Sequence, residues 1–128
     1  MSKKIMIVDD EEDIRISVGQ ILEVSGYKVV EAIDGKDCLN KLKRGIPNLV
    51  LLDIMMPGMS GWETQQCLLD HPVWKNIPII FLTAIPERGI KDIENFEGDD
   101  YVEKPIDIID LKRRIRNILR RRKKAVSS

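Results

Sequence analysis

Four short strand-like runs, each ending at a polar residue that can do chemistry, constrain the fold of this chain more than any other feature. Their polar ends are Asp9-Asp10, Asp53, Thr83 and Lys104. Runs of about four Ile, Val and Leu residues are typical of strands buried on both faces of a parallel sheet. Ligands of such sheets bind outside the carboxyl ends of the strands. We therefore expect three carboxylates, one hydroxyl and one ammonium group to converge on one sheet edge.

Helical patterns alternate with these runs along the chain. From Ile14 onward, apolar residues recur at i, i+4, i+7 and i+8, which is the spacing of one buried helix face. A further strand is predicted at Tyr27–Ala32, and a less regular helix, weakened by Gly89, at about 88–96. The alternation predicts an α/β fold, a single doubly wound five-stranded parallel sheet of (βα)₅ type with strand order 2-1-3-4-5.

Residue types at the helix ends predict where three of the helices begin or end. Ser60-Gly61-Trp62-Glu63 has the S-x-x-E form of a capping box, which predicts the start of the third helix. Gly26 is placed to end the first helix, and Asp107 is placed to cap the last one.

The length of 128 residues suits one domain with a core of its own. We assign residues 1–122 to this domain and 123–128 to a short basic and polar tail. No apolar run approaches the ~20 residues of a transmembrane helix, and the first residues lack the apolar region of a secretory leader. We therefore expect a cytoplasmic protein without membrane contact.

The cysteines and the histidine are not expected to form a metal site. Cys38 and Cys67 form no C-x-x-C pair, and His71 is the only histidine, so a zinc site is not expected. Both cysteines lie in helix-like segments, where we expect small buried or half-buried apolar side chains. His71 precedes a proline and is expected on a surface loop.

The net charge of zero hides a strong asymmetry along the chain. Residues 1–111 hold 12 Lys and Arg against 21 Asp and Glu, whereas residues 112–128 hold 9 Lys and Arg and no acid. A solvated helix face explains such a basic run more simply than a contact surface for an acidic protein or nucleic acid. Nucleic-acid binding is therefore not expected, although contact through this helix remains an alternative.

The residues predicted at the sheet edge suit a divalent cation and a phosphoryl group. Asp9, Asp10 and Asp53 would repel one another unless a cation neutralised them. Hard oxygen ligands favour Mg²⁺, for which Mn²⁺ can substitute. Lys104 adds a positive charge that can pair with a phosphoryl oxygen.

Four short motifs, in this order, resemble those of the receiver domain of two-component response regulators. They are Val8-Asp9-Asp10-Glu11, Leu52-Asp53-Ile54-Met55-Met56-Pro57-Gly58, Leu82-Thr83-Ala84 and Asp100-Tyr101-Val102-Glu103-Lys104-Pro105. The resemblance extends from about Lys4 to Leu119. It implies the flavodoxin-like fold of chemotaxis response regulators, here as a stand-alone domain.

The resemblance implies a metal-bound phosphoacceptor. Asp53 would take a phosphoryl group from a phosphohistidine on a sensor histidine kinase or phosphotransfer protein. Asp10 and Asp53 would ligate Mg²⁺ directly, Asp9 would hold it through water, and the backbone carbonyl of Met55 would complete the protein ligands. The protein would assist its own phosphorylation without being a turnover enzyme on an external substrate.

The resemblance also implies residues that read the phosphate. Thr83 would bond the phosphoryl group, Lys104 would pair with it, and Tyr101 would turn inward when Thr83 moves. The Lys104–Pro105 bond would be cis. The signal would pass through the fourth helix, fifth strand and fifth helix to a downstream protein that the sequence does not identify. The protein would be a monomer or a phosphorylation-dependent dimer.

Two other classes of protein compete with this interpretation. A Mg²⁺-dependent phosphatase or phosphotransferase of the haloacid-dehalogenase type would need D-x-D, but Ile54-Met55 follows Asp53. A receiver-fold binding module that acts without phosphorylation would not need the acidic and basic residues that this chain retains. The apolar Met55 and Ile85 occupy positions that tune phosphate lifetime in the family, and we expect slow self-dephosphorylation.

Overall fold

Five parallel strands form one sheet in the computed structural model, which describes residues 2–84 and 99–127, the last six as backbone only. The strands are β1 (Lys4–Val8), β2 (Lys28–Ala32), β3 (Leu49–Asp53), β4 (Ile79–Thr83) and β5 (Asp100–Glu103). Their order across the sheet is β2-β1-β3-β4-β5, and every neighbouring pair is parallel. The predicted α/β fold and strand order are confirmed.

Four α-helices and one short 3₁₀ turn connect or follow these strands within the part of the chain that the structure describes. The elements are α1 (Glu12–Val24), α2 (Gly35–Leu42), α3 (Gly61–Leu69), the turn Trp74–Asn76 and α4 (Ile108–Ser127). The helix predicted at about 88–96 lies outside the described residues. The domain boundary predicted at residue 122 falls inside α4 and stays a prediction.

The predicted helix ends are confirmed by their hydrogen bonds. Ser60 and Glu63 form a reciprocal capping box at the start of α3. Gly26 follows α1 with a φ of 99°, a left-handed conformation that glycine adopts at low cost. The Asp107 carboxylate accepts the first free N–H groups of α4, at 3.0 and 3.2 Å. The 3₁₀ turn was not expected.

The sheet separates two apolar clusters, because successive strand residues point to opposite faces. Met6 and Val8 face α2 and α3, whereas Ile5 and Ile7 face α1 and α4. Most of these strand side chains are fully buried, so burial on both faces explains why the strand sequences are almost uniformly apolar. No helix in the described ranges is long and apolar enough to cross a membrane.

The strand register brings the polar strand ends to one edge. Val8 pairs with Leu52, so the residues that follow β1 and β3 leave the sheet side by side. Asp53 pairs with Leu82, and Thr83 pairs with Glu103. The edge where the strand order reverses, between β1 and β3, is where open α/β sheets bind ligands.

Candidate functional site

An acidic cluster lies at the carboxyl edge of the sheet. Asp9, Asp10 and Asp53 each place a carboxylate oxygen within 4.8 Å of the others. Asp9 and Asp53 are buried, whereas Asp10 is exposed to solvent. The cluster therefore has two buried members and one exposed member, and its three carboxylates converge on one sheet edge, as the positions of the apolar runs predicted.

Asp53 lies at the base of this cluster, at the end of β3. Its Oδ1 accepts a hydrogen bond of 3.1 Å from the N–H of Met55. Burial, followed by the negative charge of Asp9, raises the pKa of Asp53 to about 7, and a hydrogen bond with the Asp10 side chain adds to the rise. The ammonium of Lys104 and the Met55 amide oppose it. The carboxylate is thus held in place but short of positive charge.

Lys104 supplies the positive charge at this edge. Its Nζ lies 2.9 Å from Asp9 Oδ2, 3.2 Å from Glu11 Oε1 and 3.5 Å from Asp53 Oδ2. Burial alone would lower the pKa of Lys104, but these carboxylates outweigh burial and raise it. The Lys104–Pro105 peptide bond is cis, as the resemblance implied.

Thr83 and Tyr101 lie on the strands beside Asp53. Thr83 ends β4 and is buried, one residue beyond the partner of Asp53 in the β3–β4 pairing. Tyr101 lies in β5, partly buried against the cluster that contains Phe81. Tyr101 also lines a cavity of about 330 Å³ between β5 and α4. Both residues are therefore near the site, and their switching roles stay predictions.

Three neighbours of the site were missed by the sequence reasoning. Glu11 pairs with Lys104, and Arg15 donates a hydrogen bond of 2.7 Å to the backbone carbonyl of Asp9. A Cβ on Gly61 would lie 2.4 Å from the carbonyl oxygen of Asp53, so α3 begins in direct contact with the end of β3. The acid run after Asp10 was a signal for Glu11, whereas the Gly61 contact has no local sequence signal.

The donor set fits a hard divalent cation. Among the described residues, Lys104 forms ion pairs with Asp9 and Asp53 of the cluster but none with Asp10, so three clustered carboxylates are only partly neutralised. Oδ2 of Asp9 is buried and lies close enough to the Lys104 ammonium to form an ion pair. The two groups are not aligned as a hydrogen bond. That oxygen can therefore serve a bound metal ion or a metal-bound water. Met55 is exposed, and ligation by its carbonyl stays a prediction.

The basic C-terminal helix is partly neutralised within the domain. Arg114 pairs with Asp110 at 2.9 Å and with Asp100 at 2.6 Å, and Arg113 also pairs with Asp110. Arg120 lies further along the helix and is exposed to solvent. These pairs agree with the expectation that the basic run is mainly a solvated helix face, which stays a prediction.

The fold and the site together define a class, the flavodoxin-like α/β domains with an acidic, lysine-containing site at the point where the strand order reverses. A family model described as the response regulator receiver domain matches residues 5–116. The chain therefore belongs to the response regulator receiver family.

Solved structures and curated sequences agree with this assignment. CheY4 of Vibrio cholerae superposes with a TM-score of 0.83 at 25% identity, over 91% of this chain and 98% of that chain. A CheY-like receiver protein of Methanospirillum hungatei gives a TM-score of 0.77 at 37% identity, over 92% and 97%. The phosphate regulon regulator PhoB of Klebsiella pneumoniae is 37% identical over 94% of this chain.

The chain spans only part of its curated relatives. It covers 53% of PhoB and 27% of the response regulator PleD of Caulobacter vibrioides, to which it is 37% identical over 123 residues. Nearly the whole chain therefore shares the family and the fold of these relatives. The match does not assign the output activities of those longer proteins to this chain.

Proposed function

We propose that this receiver domain accepts a phosphoryl group on Asp53 from a phosphohistidine of a sensor histidine kinase or phosphotransfer protein, with Mg²⁺ as cofactor. The observation that carries the proposal is the position of Asp53 itself. Its carboxylate lies within 4.8 Å of the Asp9 and Asp10 carboxylate oxygens and 3.5 Å from the Lys104 ammonium. Family membership and the register that aligns these strand ends support the same chemistry.

The transfer step forms one bond and breaks one bond. An oxygen of the Asp53 carboxylate attacks phosphorus, the phosphorus–nitrogen bond of the donor breaks, and the electron pair leaves with the imidazole nitrogen. Lys104 offsets the negative charge on the phosphoryl oxygens, and the Met55 N–H holds Oδ1 of Asp53 in position. In later hydrolysis, a water oxygen attacks phosphorus, the bond from phosphorus to the Asp53 oxygen breaks, and inorganic phosphate leaves as the carboxylate is regenerated.

The metal would be held by Asp10 and Asp53, with Asp9 acting through water and the Met55 carbonyl as a further ligand. When bound, Mg²⁺ neutralises carboxylates and phosphoryl oxygens that would otherwise repel one another. Asp9 meanwhile holds the start of α1, because its Oδ1 accepts the Glu11 N–H at 2.8 Å. In this proposal the protein would act as a phosphoacceptor and would not turn over an external substrate.

The output is a change in the face that contains β5 and α4. A phosphoryl group on Asp53 presents new acceptor oxygens beside Thr83, at the end of the neighbouring strand. Tyr101 lies on the next strand, paired with Phe81, and borders a cavity of about 330 Å³, which gives its ring room to change position. The new charge thereby shifts the population of two conformations of this face, which a downstream protein distinguishes.

The proposal is tested by covalent labelling. The protein is incubated with Mg²⁺ and acetyl phosphate, and its intact mass is measured. We expect one phosphate adduct that requires Mg²⁺ and is absent from Asp53→Asn. Asp70→Asn, which alters a carboxylate at the end of α3, away from the cluster, serves as the matched control and keeps the adduct. An adduct that persists in Asp53→Asn would contradict the assignment, and absence of any adduct at saturating donor would favour a phosphorylation-independent binding module.

A further inference from the structure

A groove lies at the opposite edge of the sheet from Asp53, where the strands begin. It has a volume of about 400 Å³ and runs between the end of α2 and the 3₁₀ turn. Among its lining residues, Ile46 is 46% exposed and Val73 is 54% exposed, with Leu42 and Trp74 behind them. We call it the amino-edge groove. Apolar side chains of this size exposed around one concavity indicate a contact surface.

One wall of the amino-edge groove is held in a fixed arrangement. The His71 ring stacks on Trp74 with a centroid distance of 3.8 Å and an interplanar angle of 11°. Nδ1 of His71 also accepts the backbone N–H groups of Val73 and Trp74, at 3.1 and 3.2 Å. The aromatic wall is therefore preorganised, which reduces the entropy cost of binding a partner.

The groove carries a concentrated positive charge. Lys43 and Arg44 line it directly. A second depression of about 200 Å³ shares Arg44 and Gly45 with it and adds Lys4 and Lys41. Lys41 is paired with Asp37 at 3.2 Å, whereas Lys4, Lys43 and Arg44 form no ion pair with any residue that the structure describes. The lining of both depressions contains no acidic residue.

This charge is the reverse of that on the rest of residues 1–111, and it is separate in sequence from the basic run of the C-terminal helix. Residues 1–111 carry 21 acidic residues against 12 basic ones, yet the amino-edge groove and the depression beside it gather four of those basic residues around an apolar floor. Positive charge concentrated within this otherwise acidic part of the chain orients an approaching partner, because it attracts an acidic surface.

We propose that the amino-edge groove docks an acidic segment of a partner protein, in which Asp or Glu residues flank one or two large aliphatic side chains. The aliphatic side chains would contact Ile46, Val73 and the Trp74 ring. The flanking carboxylates would pair with Lys43 and Arg44. A nucleic acid fits this surface less well, because phosphates use the cations but leave the exposed apolar side chains without a partner.

The docking site lies beyond the proposed function and is independent of it. Asp53 is at the carboxyl end of β3, whereas the groove residues precede the amino ends of β3 and β4. The two sites therefore lie at opposite ends of the same strands. Binding at the groove should remain in Asp53→Asn, so failure of the docking proposal and failure of the phosphoacceptor proposal give different results.

The probe is a synthetic peptide in which Glu residues flank a Leu-Ile pair, titrated into isotope-labelled protein. We expect amide shift changes at 42–46 and 71–75, with affinity reduced about tenfold in the double variant Lys43→Glu, Arg44→Glu. Ile46→Ser should also weaken binding while leaving the fold unchanged. Lys36→Glu, a single Lys-to-Glu replacement at the other end of α2 with half the charge change of the double variant, is the control and should bind as the unmodified protein does.

Comparison peptides separate the two parts of the proposal. Replacing Leu-Ile by Ser-Ser, or Glu by Lys, should abolish the groove shifts. The proposal is overturned if the acidic peptide causes no shifts at the groove, or if the double variant and Lys36→Glu weaken binding equally. Tighter binding of duplex DNA than of the peptide, unaffected by Ile46→Ser, would assign the surface to nucleic acid and likewise overturn it.

Discussion

Replacing Asp53 should make the metal-free protein more stable, because this buried carboxylate is only partly neutralised by Lys104. Its side chain is 2% exposed, and its pKa is raised from 3.8 to about 7. A pKa difference of about 3 corresponds to about 4 kcal/mol between the ionised and protonated forms. Relaxation of the site and its solvent-exposed side reduce this energy difference. We therefore expect Asp53→Asn to raise the unfolding free energy by about 2 kcal/mol at pH 8.

The sign of the pH dependence follows from the raised pKa. Between pH 4 and pH 7 the folded protein keeps a proton on Asp53 that the unfolded chain has released. The stability that this proton gives is therefore lost as the pH rises towards 7. An asparagine side chain cannot titrate, so the advantage of Asp53→Asn should be about 1 to 2 kcal/mol larger at pH 8 than at pH 5.

Urea unfolding in EDTA, followed by circular dichroism at both pH values, measures this difference. Asp70→Asn removes a carboxylate outside the cluster and should change stability by less than about 0.5 kcal/mol. Adding Mg²⁺ should stabilise the unmodified protein more than Asp53→Asn, because the variant lacks one carboxylate ligand. The reasoning is refuted if Asp53→Asn is less stable than the unmodified protein at pH 8, or if its effect does not depend on pH.

Three further results follow from contacts at the site and in the core. Lys104→Met should lower the unfolding free energy of the metal-free protein by about 3 kcal/mol at pH 8, because it leaves buried carboxylates without their cation. Lys36→Met is the control and should have little effect. Equal losses of stability in the two variants would argue against a special role for the Lys104 ion pairs. Gly61→Ala should cost about 2 kcal/mol in urea unfolding, because its Cβ would lie 2.4 Å from the backbone at the end of β3; unchanged stability would contradict that contact. Thiol labelling of the folded protein should modify half-buried Cys67 well before Cys38, whose burial raises its pKa to about 12; equally fast reaction of both thiols would refute this burial.

The sheet and the central residues of the site could be predicted because their signals are local. A strand buried on both faces is apolar along its whole length, so its end at Asp53 is visible in the sequence. The strand order then places Asp9 beside Asp53 without further information. The capping box at Ser60 and the cap at Asp107 are likewise signalled by residues close to each other in the chain.

The contacts that were missed join residues far apart in sequence. Glu11 meets Lys104 across 93 positions, and the acid run after Asp10 does not indicate which of its carboxylates makes this contact. The Gly61 contact depends on how closely α3 approaches the end of β3, which a helix pattern does not specify. The amino-edge groove needs α2 and the 3₁₀ turn to be neighbours, so its basic residues were not recognised as a group.

The contact between Lys104 and Asp9 joins residues that are synthesised at different times, so it determines when the site is complete during translation. Lys104 follows the last strand to be synthesised, yet its ammonium contacts Asp9, which follows the first. A nascent chain that has emerged only as far as β4 therefore carries every carboxylate of the cluster and no Lys104 to balance them. On the proposed function, Asp53 would meet its phosphoryl donor with Lys104 in place only after translation has passed residue 104 and β5 has docked.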